Sequence, residues 1–184
     1  MLKDQTTQEM GQPVADFSLS SIDGSGERSL CDSLHGKRGA VVVFWSAICT
    51  HCVRYDRYFN SFAESHPQLG FVAIASRHGE TRTQMQAAIG ERNLRFPILL
   101  DPSGAIARQW RSQQTPRCYL LDPDRRLLYR GAIDNFKLPE DNEYLAYLEP
   151  AIAAFLAGEP IARTETASFG CAIQTVYYQL PKQL

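Results

Sequence analysis

No run of apolar residues in this 184-residue chain approaches the roughly 20 that a helix needs to cross a bilayer, and a membrane-spanning role is not expected. Charge of one sign is lacking too. The 19 Lys and Arg are scattered and stand against 20 Asp and Glu, so neither nucleic acid nor an anionic membrane surface is an expected partner. The opening residues, Met1 to Gly11, have no apolar core of a secretory leader. The cytoplasm is the expected compartment, with the periplasm as the alternative if a leader has been removed. Cysteine is sparse and odd in number: five residues cannot form a complete internal disulfide framework. Nor do His35, His66 or His78 supply a second ligand pair at the spacing of a zinc site. There is no internal repeat. What remains, 44% hydrophobic and 21% charged, is the composition of one ordinary globular domain, expected as a monomer or weak homodimer.

Against that background one segment carries chemistry. Gly39 to Trp45 (GAVVVFW) is a continuous β-branched and aromatic run, the pattern of a strand covered on both faces. Cys49-Thr50-His51-Cys52 follows, and Cys52 to Ser65 has helical period through Tyr55, Tyr58, Phe59 and Phe62 until His66-Pro67 ends it. Residues three apart on a helix share a face, which puts Cys49 and Cys52 within disulfide reach. At the helix N-terminus the Cys49 thiol should have a lowered pKa, because unpaired N–H groups and the helix dipole favour its anion. Cys49 is the expected nucleophile, and Cys52, one turn inside, the resolving thiol.

The rest of the chain reads as an α/β domain. Gln12 to Leu30 suggests a hairpin turning at Asp23-Gly24, with Val14, Phe17, Leu19 and Ile22 as apolar positions. Gly70 to Ser76 is a second buried strand, parallel to the first across the Cys-bearing helix. Thr81 to Asn93 is a helix capped by Thr81 or Thr83, with Met85, Ala88 and Ile89 inward. Phe96 to Leu100 is a strand, Asp101 to Gly104 a turn, and Ala105 to Trp110 a short helix. Arg117 to Asp122 and Arg126 to Arg130 form a hairpin around Pro123-Asp124. Pro139 to Leu156 is a late helix with Tyr144, Leu145, Leu148, Ile152 and Phe155 on one side and Gly158 as its stop. Ala172 to Leu180 is either an extended strand over the body or a loose tail.

The buried strand, the C-x-x-C helix start and the later Thr115-Pro116 together resemble the thioredoxin superfamily. Trp45, the segment Phe96 to Trp110 and the segment Thr115 to Asp134 resemble TlpA/ResA and AhpC/TSA-type redoxins. The fold implied is a central mixed sheet flanked by helices, with an N-terminal hairpin; the domain is expected over residues 1–158, and 159–184 as a C-terminal extension packed on it or partly disordered. The resemblance implies a thiol–disulfide oxidoreductase working through a mixed disulfide, with a cis Pro116 beside the cysteines and Thr115 presenting backbone groups to a substrate cysteine. Trp45 reads either as a platform beside Cys49 or as packing, and Thr50 as a substrate contact. His51 resembles the DsbA-type motif and implies an oxidising bias; the other reading is an exposed bystander. Thr50 departs from that motif's Pro, and Val43 stands where thioredoxins place a buried acid, leaving Asp56 as the nearest substitute.

Ala151 to Ile173 resembles the C-terminal segment of redoxins ending in Gly-Cys-x-Ile, so Cys171 is either a third redox thiol or a small packing residue. Cys31 reads as a buried residue without chemistry, and Cys118 as a buried structural thiol in preference to a reactive one. The implied partners are a thiol- or disulfide-containing protein or small thiol and an electron donor or acceptor; exchange of this kind requires no metal or organic cofactor. Two other classes compete. A peroxiredoxin is suggested by Ser46-x-x-Cys49, although Val42 stands where its upstream Pro belongs. A Cu(I)-binding redoxin without turnover would use Cys49, Cys52 and a nearby His.

Overall fold

Every residue of Gly39–Trp45 is buried in the computed structural model, which describes residues 9–135 and 143–173. A strand with no exposed position must lie mid-sheet with layers on both faces, and the remaining elements supply them. In chain order they are β1 (Ser18–Ser20), β2 (Glu27–Ser29), α1 (Leu30–Leu34), β3 (Gly39–Trp45), α2 (Thr50–Val53), α3 (Asp56–Ser65), β4 (Leu69–Ala75) and α4 (Arg82–Glu91). There follow β5 (Ile98–Leu100), α5 (Ala105–Gln109), β6 (Gln114–Thr115), β7 (Arg117–Leu121), β8 (Leu127–Gly131), α6 (Leu148–Ala157) and β9 (Cys171–Ala172).

The central sheet runs β5-β4-β3-β7-β8. Strand β3 is parallel to β4 and antiparallel to β7, with Val43 opposite Cys118 and Trp45 opposite Ala75. This mixed sheet with helices on both faces is a thioredoxin-like fold. The N-terminal hairpin β1-β2 joins its β5 edge, where the Ile22 N–H donates to the Ile98 carbonyl (2.9 Å).

Strand pleating sends alternate β3 residues to opposite layers. Val41, Val43 and Trp45 face a core with Phe59, Phe62, Leu148 and Ile152; Ala40, Val42 and Phe44 face Leu30, Trp110, Tyr119 and Val14. Edge-on aromatic pairs knit the second layer, with ring centroids 5.2 Å apart for Trp110–Tyr119 and 5.5 Å for Phe44–Tyr119. Thr81 is the cap of α4, in a reciprocal box with Gln84. Asp101 caps α5 by accepting the N–H groups of Ala105, Ile106 and Ala107.

Two expected helices differ. The Cys-bearing one is two pieces, because Tyr55 leaves helical geometry (φ −100°, ψ 5°) and its N–H reaches back only three residues to the Cys52 carbonyl (2.9 Å). This tight turn re-aims α3 so that Phe59 and Phe62 enter the core. The late helix starts at Leu148, not Pro139; residues 139–142 lie outside the described residues, and Tyr144 and Leu145 are exposed rather than on its buried face. Pro150 is the reason. It can sit in a helix's first turn, where its missing N–H costs nothing, but not in the interior that the longer helix would have required. The expected tail strand beyond residue 173 also lies outside the described residues. Cys31 is exposed, not buried, since Leu30 and Leu34 form the inward face of the five-residue α1.

Phe62, fully buried between Tyr58 and Phe71, tests the first core. Phe62→Ala should lower unfolding stability by about 3–5 kcal/mol, read as a drop in the denaturant midpoint.

Candidate active site

The β3 C-terminus, α2 and the β6–β7 junction converge on Cys49. The chain leaves β3 at Trp45, and the loop Ser46–Ile48 is held from two sides. Glu80 Oε1 accepts from Ser46 Oγ and from the Ile48 N–H (3.1 Å each). Arg92 donates to the Ala47 carbonyl (2.7 Å) while its other nitrogens grip both Asp56 carboxylate oxygens (2.7 Å each). Burial pushes Glu80 above the ordinary carboxylate range, against the pull of its donors from Ile48, Ser46 and Ala47. These supports were missed in the sequence because they come from 32 to 45 residues away. A signal for Glu80 was present: it follows β4, the parallel neighbour of β3, at the same sheet end where the motif sits. Asp56, the acid nearest to Cys52 in the sequence, is bound by Arg92 and so ties α3 to this loop.

All five cysteines are free thiols. Cys49 caps α2, and its carbonyl accepts from the Cys52 and Val53 N–H groups (2.9 and 3.2 Å). Its Sγ lies 3.1 Å from the Thr115 carbonyl, to which the neutral thiol donates. The Thr115–Pro116 peptide bond is cis, and both residues are buried. On the far side of Thr115, β6 pairs antiparallel with β9, Thr115 opposite Cys171 and Gln114 opposite Ala172.

The Cys49 pKa is held well below the ordinary thiol range, first by a hydrogen bond from the Cys52 thiol, then by donors of Cys171 and Thr115, while burial acts the other way. Cys52 moves oppositely: burial above all, then its bond to Cys49, pushes it far up. The pair therefore has one anion-favouring and one proton-keeping sulfur. The cause differs from the expected one, since a four-residue α2 has little dipole to offer and the neighbouring thiols supply the stabilisation.

Cys49 is covered. Both it and Cys52 have 0% exposed surface, while Cys171, lying over Cys49, is half-buried. Trp45, considered as a substrate platform, is also 0% exposed, packed edge-on against Phe96 (6.1 Å) with the Arg92 guanidinium 5.5 Å from its ring centre. It is a core residue, because it is the last position of a strand buried on both faces. Thr50 is exposed. His51, half-buried, lines a small cleft with Tyr55, Pro116, Ile133, Asp134 and Phe169, where Tyr55 donates to Asp134 (2.6 Å). Cys118 is sealed in the core opposite Val43, and burial pushes its thiol pKa up. Among the described residues no group of three or more His, Cys, Asp or Glu side chains has the arrangement of a metal site, and no helix is long and apolar enough to cross a membrane.

A dithiol at a strand-to-helix junction beside a cis proline, on a thioredoxin-like fold, defines a protein of the redoxin class. Residues 10–130 match the AhpC/TSA family, and the chain belongs to that family. It is 23% identical over 142 residues to thiol-disulfide oxidoreductase ResA of Bacillus thuringiensis subsp. konkukian, covering 77% of this chain and 80% of that one. Hypothetical protein SMc02350 of Sinorhizobium meliloti 1021 superposes with a TM-score of 0.79 at 28% identity, covering 90% of this chain and 93% of that one. An uncharacterized conserved protein of Geobacillus kaustophilus reaches a TM-score of 0.81 at 22% identity over 93% and 94% of the two chains.

The lowered Cys49 pKa sets the pH dependence of its reactivity. In the reduced protein, alkylation at Cys49 should hold its rate from about pH 8 down to about pH 6, as its thiolate persists, while Cys31, whose thiol Asp16 holds above the ordinary range, should slow about tenfold per pH unit. Peptide mapping of iodoacetamide adducts reads both rates.

Proposed function

We propose that this protein is a thiol–disulfide oxidoreductase in which Cys49 and Cys52 exchange a disulfide with protein or small-thiol substrates. The observation that carries the reading is the placement of Cys49 and Cys52 at α2 beside the cis Thr115–Pro116 bond, where the Cys52 thiol holds the Cys49 pKa down and burial holds the Cys52 pKa up. A thiolate attacks; a thiol that loses its proton only on demand resolves. The similarity to ResA, named a thiol-disulfide oxidoreductase, supports the same activity.

In the reducing direction the Cys49 thiolate attacks a substrate disulfide, forming a Cys49–substrate bond and releasing one substrate thiolate. Cys52 passes its proton to that leaving sulfur as it attacks Cys49 Sγ, freeing the second substrate thiolate and closing the Cys49–Cys52 disulfide. Oxidation of a substrate dithiol runs the same steps backwards. Thr115 and the cis Pro116 lie beside the exchanging sulfur, and the Thr115 carbonyl accepts from Cys49 only when that thiol is protonated. Thr50 and His51, the α2 residues between the two cysteines, are the proposed contacts for a substrate. No step calls for a metal or an organic cofactor.

Stabilising the Cys49 thiolate stabilises the reduced form, which makes the disulfide the more oxidising, in line with the bias inferred from His51. Equilibration of the natural chain in glutathione buffers should give a potential above about −220 mV; a value below about −270 mV would place the protein among reductants. Cys49→Ser should abolish insulin reduction, and Cys52→Ser combined with Cys171→Ser should accumulate mixed disulfides on Cys49, followed by turbidity and by mass mapping respectively. A protein lacking both Cys52 and Cys171 that never holds a substrate on Cys49 would sink the mechanism.

A further inference from the structure

Cys49 has no exposed surface, and residues 165–173, which reach the strand beside it, are seated in a specific way. The segment is tied down on both sides of the site. Upstream, Glu165 accepts from Arg130 Nε (2.7 Å) and Nη2 (3.1 Å), and the Thr166 hydroxyl, 2.7 Å from the Tyr129 hydroxyl, accepts the Ala132 N–H (3.0 Å). Gly131 makes that approach, since a Cβ there would run into Thr166. Downstream, Ile173 is 1% exposed in the second core layer; its N–H donates to the Gln113 carbonyl (2.9 Å) and its carbonyl accepts from the His78 N–H (2.7 Å).

Between these anchors the chain lies as an antiparallel strand on Gln114–Thr115. Gly170 permits the close contact, because a Cβ at that position would meet the Thr115 carbonyl oxygen. The register sets Cys171 opposite Thr115, whose carbonyl is itself 3.1 Å from Cys49 Sγ. Thr115 thus neighbours both residues. Cys49 accepts hydrogen bonds from the Cys52 and Cys171 thiols alike; burial and then the bond to Cys49 hold the Cys171 thiol above the ordinary range, with Arg77 acting the other way. Of the three thiols, Cys171 alone reaches the surface.

We propose that Cys171 is a third exchanging thiol of this site: the segment Gly170–Ala172 occupies the Gln114–Thr115 edge as an internal substrate, and Cys171 carries the disulfide between the buried Cys49–Cys52 pair and thiols in solution. This rests on the exchange chemistry proposed for Cys49 and Cys52. Starting from the Cys49–Cys52 disulfide, the Cys171 thiolate attacks Cys49 Sγ; the Cys49–Cys171 bond forms, the Cys49–Cys52 bond breaks, and Cys52 takes up the proton that Cys171 gave up. A solution thiolate then attacks Cys171 Sγ, leaving a mixed disulfide there and the Cys49 thiolate free. Neither step changes the number of disulfides.

The test uses the full chain carrying Cys31→Ser, to silence the other exposed thiol, and Cys52→Ser, to remove the resolving one. Oxidised glutathione is the oxidant, and disulfides are mapped by mass spectrometry after acid quenching. A Cys49–Cys171 disulfide should exceed the glutathione adduct of Cys49 about tenfold or more at millimolar glutathione, because an aligned internal thiol competes at a high effective concentration. Circular dichroism checks folding, and Cys52→Ala replaces Cys52→Ser if the first variant does not fold. A stable glutathione adduct on Cys49 or on Cys171, with the other thiol free, overturns the relay while leaving the Cys49–Cys52 exchange intact. No modification at Cys49 overturns the relay too. The natural chain under the same oxidant then separates the two readings: a Cys49–Cys52 disulfide keeps the proposed function, and its absence removes both.

Discussion

A sulfur anion shielded from water must find its hydrogen-bond donors in the protein, and this constraint organises the site. Burial alone would raise the pKa of Cys49, yet the Cys52 thiol, Cys171 and Thr115 together reverse the sign. Cys52, in the same surroundings but serving as donor, is driven the other way. The asymmetry that exchange chemistry needs thus comes from which sulfur gives the hydrogen and which receives it. Removing any donor would leave a buried anion under-satisfied, which explains why the segment above the site is held by ion pairs, a hydroxyl network and a core isoleucine rather than merely resting there.

The scaffold serves that geometry. A strand buried on both faces cannot slide or tilt, so its end fixes where the loop Ser46–Ile48 begins. Glu80 and Arg92 hold the loop from neighbouring elements, and the break at Tyr55 lets α2 address the site while α3 packs into the core.

Much of this was legible from residue order. The unbroken GAVVVFW run gave the central strand, C-x-x-C after it gave the chemistry, and Thr115-Pro116 gave the neighbouring wall by resemblance. The failures have local causes. The apolar spacing from Pro139 to Leu156 suggests a helix that Pro150 forbids before Leu148, and the apolar period of the Cys-bearing segment continues through Tyr55, where no Gly or Pro announces the break. Trp45 was ambiguous because an aromatic at a strand end has the same sequence signature inside the core as beside a cleft.

Sequence by itself determined what periodicity and spacing can encode: elements, the buried faces of most of them, and two thiols one helical turn apart. It did not determine that Cys49 is covered, which sulfur stabilises which, or that Cys171 stands over the pair. Those depend on a strand pairing between Thr115 and Cys171, 56 residues apart. Register across such a distance is set by the packing of Ile173, the ties at Glu165 and Thr166 and the close approach of Gly170, each a contact between surfaces that exist only once the sheet has formed.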